Sequence, residues 1–342
     1  MFNTLANLIA PNIAIDLGTA NIIVSTKDKC LINEPSVVAI QTNHKGESKL
    51  LAVGVDAKKM IGKTPFNIKA IRPMKDGVIA DFDTTEKMIN HFIQKAYKKN
   101  FFFKPKIIIC IPYGVTPVER NAVRDSALSA GARDVYLIEE PLAAAIGAGI
   151  PVNSPNGHVV VDIGSGTTEI GLTSLGGLVL CKATRTAGDS FDDAIIRYVK
   201  HNYNLSIGEG TAENIKFKIG TAIKLDETLT LDVKGKDNFG YLRAITLNSE
   251  EVRKAIDEPL KKISNTLLKL LEQMPPDLAA DVVDNGIIIT GGGALLRGID
   301  TYLHNIVKLP VHITEDPLLA VSKGTMEALR NMEFLNLLND ER

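Results

Sequence analysis

The sequence predicts an α/β fold built from two related lobes, and three observations predict it. Apolar strand-like runs alternate with helix-like segments along the chain, which argues for layers of sheet and helix. A strand–Asp–glycine turn occurs twice, as I-A-I-D-L-G-T-A-N over 13–21 and as V-V-V-D-I-G-S-G-T-T-E over 159–169. The chain has 342 residues, long for a single core, so two lobes are the default.

Composition narrows the class. Hydrophobic residues make up 45% and charged residues 23%, a globular balance. A net charge of −1 gives no footprint for nucleic acid, and no nucleic-acid partner is expected. Cys30, Cys110 and Cys181 are far apart and lack metal-ligand spacing, so a reducing cytoplasm suits them. No apolar run reaches the ~18 residues of a membrane-spanning helix, and the first ten residues lack the marks of a signal peptide. Phe2, Leu5, Leu8 and Ile9 do fall at helical spacing. That stripe either packs on the body or lies on a membrane surface.

Taken in order, 13–26 predicts a hairpin with the first glycine turn at its bend. Short strands follow over 31–40 and 50–53, with Asn33-Glu34-Pro35 as a break, then a short helix over 56–61. An amphipathic helix is predicted over 84–99, because Met88, Ile89, Phe92 and Ala96 share a face. Strands over 107–111 and 135–138 enclose a helix over 116–130, and a helix over 142–149 follows Glu139-Glu140-Pro141. Pro151 to Asn156 is the expected crossover. Beyond it lie strands over 159–179, helices over 189–202 and 211–219, and a strand pair over 229–247. Ser249 is expected to cap one long helix over 249–273. A strand over 286–290 runs into Gly291-Gly292-Gly293, and the tail over 318–338 is helical. The expected domains are lobe I over 1–150 with a small insert near 31–76, and lobe II over 151–317 with an insert near 188–250. A helix over 318–342 returns to lobe I.

The two turns carry chemistry. Glycine lets backbone N–H groups approach phosphate oxygens with no Cβ in the way, and hydroxyls add donors. Asp16 and Asp162, each near a strand end, suit Mg²⁺ held through water, since that ion dehydrates reluctantly. One such turn is weak evidence; two in matching context suggest half-domains serving one nucleotide. The third turn, Gly291–Gly293, lacks an Asp, and its flat backbone suits a purine or ribose. Separately, Phe101, Phe102 and Phe103 stand together beside Lys98, Lys99 and Lys104. Aromatic tips with flanking cations are the composition of an interfacial membrane anchor; the alternative is a cap on the neighbouring helix and strand.

These turns, with N-E-P-S-V-V-A over 33–39, I-R-P-M-K-D-G-V-I-A over 71–80, E-P-L-A-A-A over 140–145 and G-G-G-A-L-L-R over 291–297, resemble the actin–Hsp70–sugar-kinase superfamily. Within it they are most similar to MreB, the bacterial actin, over nearly the whole chain. The resemblance implies an actin-like two-lobed ATPase fold of two duplicated ribonuclease-H-like domains, each with a smaller inserted subdomain. It implies ATP/ADP and Mg²⁺ as cofactors, with Asp16 and Asp162 organising the hydrated metal. Gly18, Thr19, Ala20 and Asn21 match the first phosphate loop, and Gly164, Ser165 and Gly166 the second. Glu140 matches the residue that orients the attacking water, with Thr167 as helper and Glu139 as rival. Glu213 and Lys216 match the residues at ribose and base, and Gly291, Gly292, Gly293, Ala294 and Leu295 the adenosine loop.

The same resemblance implies a slow ATPase that polymerises with itself, pairs antiparallel through the helix carrying Val118, and organises cell shape. Expected partners are the inner face of the cytoplasmic membrane and membrane or shape-determining proteins. Two departures stand out: Ser165 where a third glycine is common, and Tyr113 where a small residue is usual. Ser165 keeps open a nucleotide-binding scaffold with little hydrolysis. An Hsp70-type chaperone expects a peptide-binding domain beyond residue 342, and a small-molecule kinase expects an acceptor pocket. Neither explains the insert near 31–76 or the Phe loop.

Overall fold

The computed structural model describes residues 12–26, 29–42, 48–75, 77–97 and 104–331. The chain divides into two compact units, Met1–Pro151 with Leu319–Arg342, and Val152–Leu318.

In the first unit the β-branched runs form β1 (Asn12–Leu17) and β2 (Asn21–Thr26), an antiparallel pair. β3 (Lys29–Pro35) continues the meander. The expected break at Asn33–Pro35 is therefore displaced: Pro35 ends an edge strand, where the missing N–H costs no ladder bond. With Leu31 to Pro35 on the main sheet, the separate small sheet begins only at β4 (Val38–Thr42) and continues with β5 (Ser48–Val53). The one-turn helix α1 (Val55–Lys58) and β6 (Ile68–Ile71) complete it, in the order β5-β4-β6. A hairpin of β7 (Met74–Lys75) and β8 (Val78–Ile79) follows. Helix α2 (Phe82–Ala96) starts before its expected position because the Asp81 side chain caps it, accepting from the Thr84 N–H at 2.9 Å. Then come β9 (Lys106–Ile111), α3 (Pro117–Ser129), β10 (Asp134–Glu139) and α4 (Glu140–Gly147). The main sheet runs β10-β9-β1-β2-β3, with β1, β9 and β10 parallel. β9 is buried at every residue, as a parallel strand covered on both faces must be.

The second unit repeats that plan. β11 (His158–Ile163), β12 (Thr168–Ser174) and β13 (Gly177–Thr184) form an antiparallel meander. Helix α5 (Gly188–Tyr203), β14 (Leu205–Ser206), α6 (Glu209–Ile219), β15 (Thr230–Asp237) and β16 (Leu242–Asn248) follow, the three strands making a small sheet. The expected single helix over 249–273 is two, α7 (Ser249–Ala255) and α8 (Asp257–Glu272). Pro259 is the cause: it has no N–H to donate to the Ala255 carbonyl four residues back, and its ring clashes there. The cap of α7 is Asn248 rather than Ser249, in a reciprocal box with Glu251.

Also absent from the sequence-based expectations are α9 (Pro276–Asn285) before β17 (Ile287–Thr290), then α10 (Ile299–Val307) and β18 (Val311–Ile313), along with the short strands β6, β7, β8 and β14. The sheet order is β13-β12-β11-β17-β18, with β11, β17 and β18 parallel. Each main sheet is thus three antiparallel strands extended by two parallel ones. A core of Val159, Val161, Ile163, Ile287 and Ile289 on the sheet meets Leu260, Ile263 and Leu267 of α8.

The last described helix, α11 (Ala320–Arg330), belongs to the first unit and crosses α4. A Cβ at Gly324 would lie 1.8 Å from the Ala143 carbonyl oxygen, and one at Gly147 would lie 1.7 Å from that of Ala320. The two backbones touch because glycine stands at both contact points. Among the described residues no helix is long and apolar enough to cross a membrane.

Candidate functional site

In the first unit the site grows from the end of β1. Asp16 is half-buried and sits opposite Ile23 of β2 and Cys110 of β9. The chain then turns through Gly18, Thr19 and Ala20. Gly18 does not have a left-handed φ; it is required for close approach, since a Cβ there would stand 2.7 Å from the Asn21 carbonyl oxygen. Ser36 fastens the turn from behind, its hydroxyl donating to the Gly18 carbonyl at 2.6 Å and its N–H to that of Ala20 at 2.8 Å. Asn21 donates through its side chain to Asn33 at 3.3 Å. Thr19 is half-buried, while Ala20 and Asn21 are exposed. The same unit carries Glu140, buried at the first position of α4. Glu139, the residue before the helix, is half-buried and paired with Arg120 of α3.

In the second unit Asp162 occupies the matching place on β11, opposite Glu169 and Thr290. It is buried and accepts from the Thr290 hydroxyl at 2.7 Å. Burial pushes its carboxyl up to about 6, with the Thr290 hydrogen bond working in the opposite direction. The turn Gly164-Ser165-Gly166-Thr167 is closed by the Gly164 N–H donating to the Thr167 carbonyl at 2.9 Å. Ser165 has no positive φ, so its Cβ brings no backbone strain to the loop. Helix α5 backs the turn: the Gly188 N–H donates to the Gly164 carbonyl at 3.2 Å and the Asp189 N–H to that of Ser165 at 2.8 Å.

Lys216 on α6 reaches the same place. Its ammonium donates to the Gly188 carbonyl at 2.9 Å and to Asp192 Oδ2 at 2.8 Å. Burial pushes the Asp192 carboxyl up to about 6, against the pull of the Lys216 charge. Glu213, half-buried, lies one helical turn before Lys216. The third glycine turn packs against the second. Gly291 has φ +81, and a Cβ there would lie 2.4 Å from the Ile163 carbonyl oxygen; one at Gly293 would lie 2.2 Å from Ile163 Cγ2. A short 3₁₀ turn over Gly292–Leu295 leaves Gly292 and Leu295 exposed and Ala294 buried. Gly291 and Gly293 let this turn pack closely on Ile163, and Gly292 and Leu295 stand on its exposed side.

Sequence reasoning did not assign roles to Ser36, Thr290 and Asp192. Thr290 had a readable signal, a hydroxyl at the end of the strand leading into the third turn. Of the residues read as a membrane anchor, Phe2, Leu5, Lys98, Lys99, Phe101, Phe102 and Phe103 lie outside the described residues, and Lys104 is exposed. Val118 stands 72% exposed in the first turn of α3.

These turns fit a nucleotide with Mg²⁺. Both Asp–glycine turns are cradles whose glycines a Cβ would crowd, 2.7 Å from the nearest backbone oxygen at Gly18 and 3.2 Å at Gly164. Among the described residues no cluster of three or more His, Cys, Asp or Glu could hold a metal alone. A lone carboxylate per half-site suits an ion that keeps waters and takes further ligands from phosphate.

Comparison with known proteins follows the same lines. The family model for MreB/Mbl protein matches residues 10–337. The chain is 49% identical over 338 residues to the cell shape-determining protein MreB of Escherichia coli (strain K12), covering 98% of this chain and 97% of that protein. It is 47% identical over 330 residues to the cell shape-determining protein Mbl of Bacillus subtilis (strain 168), covering 96% and 98%. The crystal structure of MreB5 of Spiroplasma citri bound to AMPPNP superposes with a TM-score of 0.88 at 35% identity, over 97% of this chain and 99% of that one. A MamK double helical filament, at 20% identity and a TM-score of 0.79 over 94% and 99%, shares the fold. Duplicated sheets, paired Asp turns and these likenesses agree on an actin-like architecture, and the chain belongs to the MreB/Mbl family.

Proposed function

We propose that the chain is an ATP-binding, ATP-hydrolysing filament subunit that assembles on the inner face of the cell membrane as antiparallel double filaments and organises cell shape. The observation that carries this is the repeated strand–Asp–turn, placed at the same position of two sheets with the same strand order. The family's printed names, and the AMPPNP and ADP in the Spiroplasma citri structures, support it.

The roles proposed for the site residues are those that the family likeness implies, and the turns described above are compatible with them. The N–H groups of Gly18 to Asn21 and of Gly164 to Gly166 meet phosphate oxygens, and Thr19 adds a hydroxyl. Asp16 and Asp162 hold the water shell of Mg²⁺, which neutralises phosphate charge when bound. Glu140 orients a water and Thr167 steadies it. The water oxygen bonds to the γ-phosphorus, the bond to the β–γ bridging oxygen breaks, and the water's proton leaves with phosphate. Positioning and charge neutralisation supply most of what phosphoryl transfer needs. Glu213 and Lys216 meet ribose and base, and Gly291 to Leu295 line the nucleoside. Ser165 has no positive φ and so adds no backbone strain to its loop; a scaffold with little hydrolysis, in which the Ser165 side chain crowds the phosphate, is the second reading, and phosphate release separates the two.

The test is sedimentation and phosphate release with ATP and Mg²⁺, for the native chain and Glu140→Ala. The native protein should pellet and release phosphate; Glu140→Ala should bind ATP and lose about 10²-fold or more in turnover. Failure of the native chain to bind ATP or to pellet would overturn the reading. Equal turnover in both would move the water-orienting role away from Glu140.

A further inference from the structure

Glu139 and Glu140 stand one peptide bond apart at the start of α4, and the structure treats them differently. Glu140 is buried at the first helical position. Glu139, the last residue of β10, forms an ion pair with the guanidinium of Arg120. Both partners are mostly covered, with side-chain exposures of 31% for Arg120 and 24% for Glu139, so water screens the pair only in part. Arg120 itself is held firmly. It lies in the first turn of α3, which begins with Pro117 and a capping box. In that box the Thr116 hydroxyl accepts from the Glu119 N–H at 3.3 Å, and Glu119 accepts from the Thr116 N–H at 2.8 Å. The Arg120 N–H donates to the Thr116 carbonyl at 2.9 Å. Val118, two residues before it, faces solvent.

We infer that Arg120 is a positioning residue for hydrolysis: by clamping Glu139 to α3, it fixes the entry of α4 and thereby the Glu140 carboxylate. A planar guanidinium can hold a carboxylate in a set direction, which a flexible ammonium does less well. The N-terminus of α4 attracts negative charge, so without Arg120 either carboxylate could turn toward it. The clamp also joins the exposed face of α3 to the residue that orients water, within one unit. This inference rests on the reading of Glu140 given above.

The experiment compares the native chain with Arg120→Gln, Arg120→Lys, Glu139→Gln and the double variant Arg120→Gln/Glu139→Gln. It measures ATP affinity, phosphate release at saturating ATP with Mg²⁺, and the thermal midpoint. Arg120→Gln should slow phosphate release by about 10-fold, the scale of a small misplacement of a catalytic group, while ATP affinity stays within about 2-fold. Arg120→Lys should recover part of the rate. The double variant should be no slower than Arg120→Gln alone, because the two residues act as one pair. A merely structural role would lower the thermal midpoint and ATP affinity together with the rate, which would overturn the inference. Native turnover in a well-folded Arg120→Gln, with Glu140→Ala inactive, would overturn it as well. If Glu140→Ala also kept native turnover, the underlying reading of Glu140 would be the one to fall.

Discussion

Asp192 is buried beside Lys216, and one of its oxygens, Oδ1, has no hydrogen-bond partner among the described residues. Burial raises its carboxyl to about 6 from the usual 3.8, Lys216 opposes the rise, and Asp189 and Glu213 add to it. A carboxyl raised on folding favours the native state fully below its unfolded value, and that contribution fades as pH climbs through its folded value. The native chain should therefore gain thermal stability relative to Asp192→Asn as pH falls from about 7 to about 5. Parallel melting curves across that range would show that Asp192 does not titrate there. Legibility at this scale divides by sequence distance. Asp16 and Asp162 could be read because strand, carboxylate and glycine are contiguous. Ser36 and Thr290 reach their partners across 18 and 128 positions, so their contacts depend on sheet register. Asp192 lay within G-D-S-F-D, yet its pairing needed α6 to be placed against α5.

Helix α4 presents the main element-scale constraint, because it carries Glu140 at one end and meets α11 along its side. Ala143, Gly147, Ala320 and Gly324 leave no room between the backbones. The run of small residues A-A-A-I-G over 143–147 was visible in the sequence. Its partner was not, since α11 follows a whole second unit in the chain. Gly324→Ala places a Cβ 1.8 Å from the Ala143 carbonyl oxygen, and the helices must separate. Overpacking of this kind costs about 1–3 kcal/mol, so calorimetry should show the melting midpoint lowered by a few degrees. Phosphate release should fall with it, because α4 cannot shift without its first residue. An unchanged midpoint would mean that the crossing has slack. Elsewhere the limits of reading are local. Pro259 splits a pattern whose apolar spacing continues through the break. The short edge strand β18 offers only three residues of signal.

At the scale of the whole molecule, the proposed membrane-bound filament needs a subunit that binds weakly alone and strongly in a polymer, and the expected anchor would have those magnitudes. A buried Phe contributes roughly 1.5–3 kcal/mol, and a Lys near an anionic surface about 1 kcal/mol. On that proposed reading, Phe101–Phe103 with neighbouring lysines would hold one copy reversibly, while a filament presenting many copies of the segment would gain by effective concentration. Antiparallel pairing at the exposed Val118 face of α3 would aim the loops of both strands at one bilayer. Replacing Phe101, Phe102 and Phe103 with Ser should abolish co-pelleting with anionic vesicles while ATP binding and sedimentation of filaments persist. Val118→Glu acts differently: it places like charges across the seam, so filaments should form unpaired and hold vesicles less tightly than paired ones. Raising salt should weaken the lysine contribution in both the native chain and Val118→Glu, because exposed charges are screened within about 8–10 Å. Vesicle binding by the Ser variant at native strength would remove the loop from the anchor. Binding that is native in a Val118→Glu protein shown to be unpaired would mean that a single strand already supplies all the avidity the membrane requires.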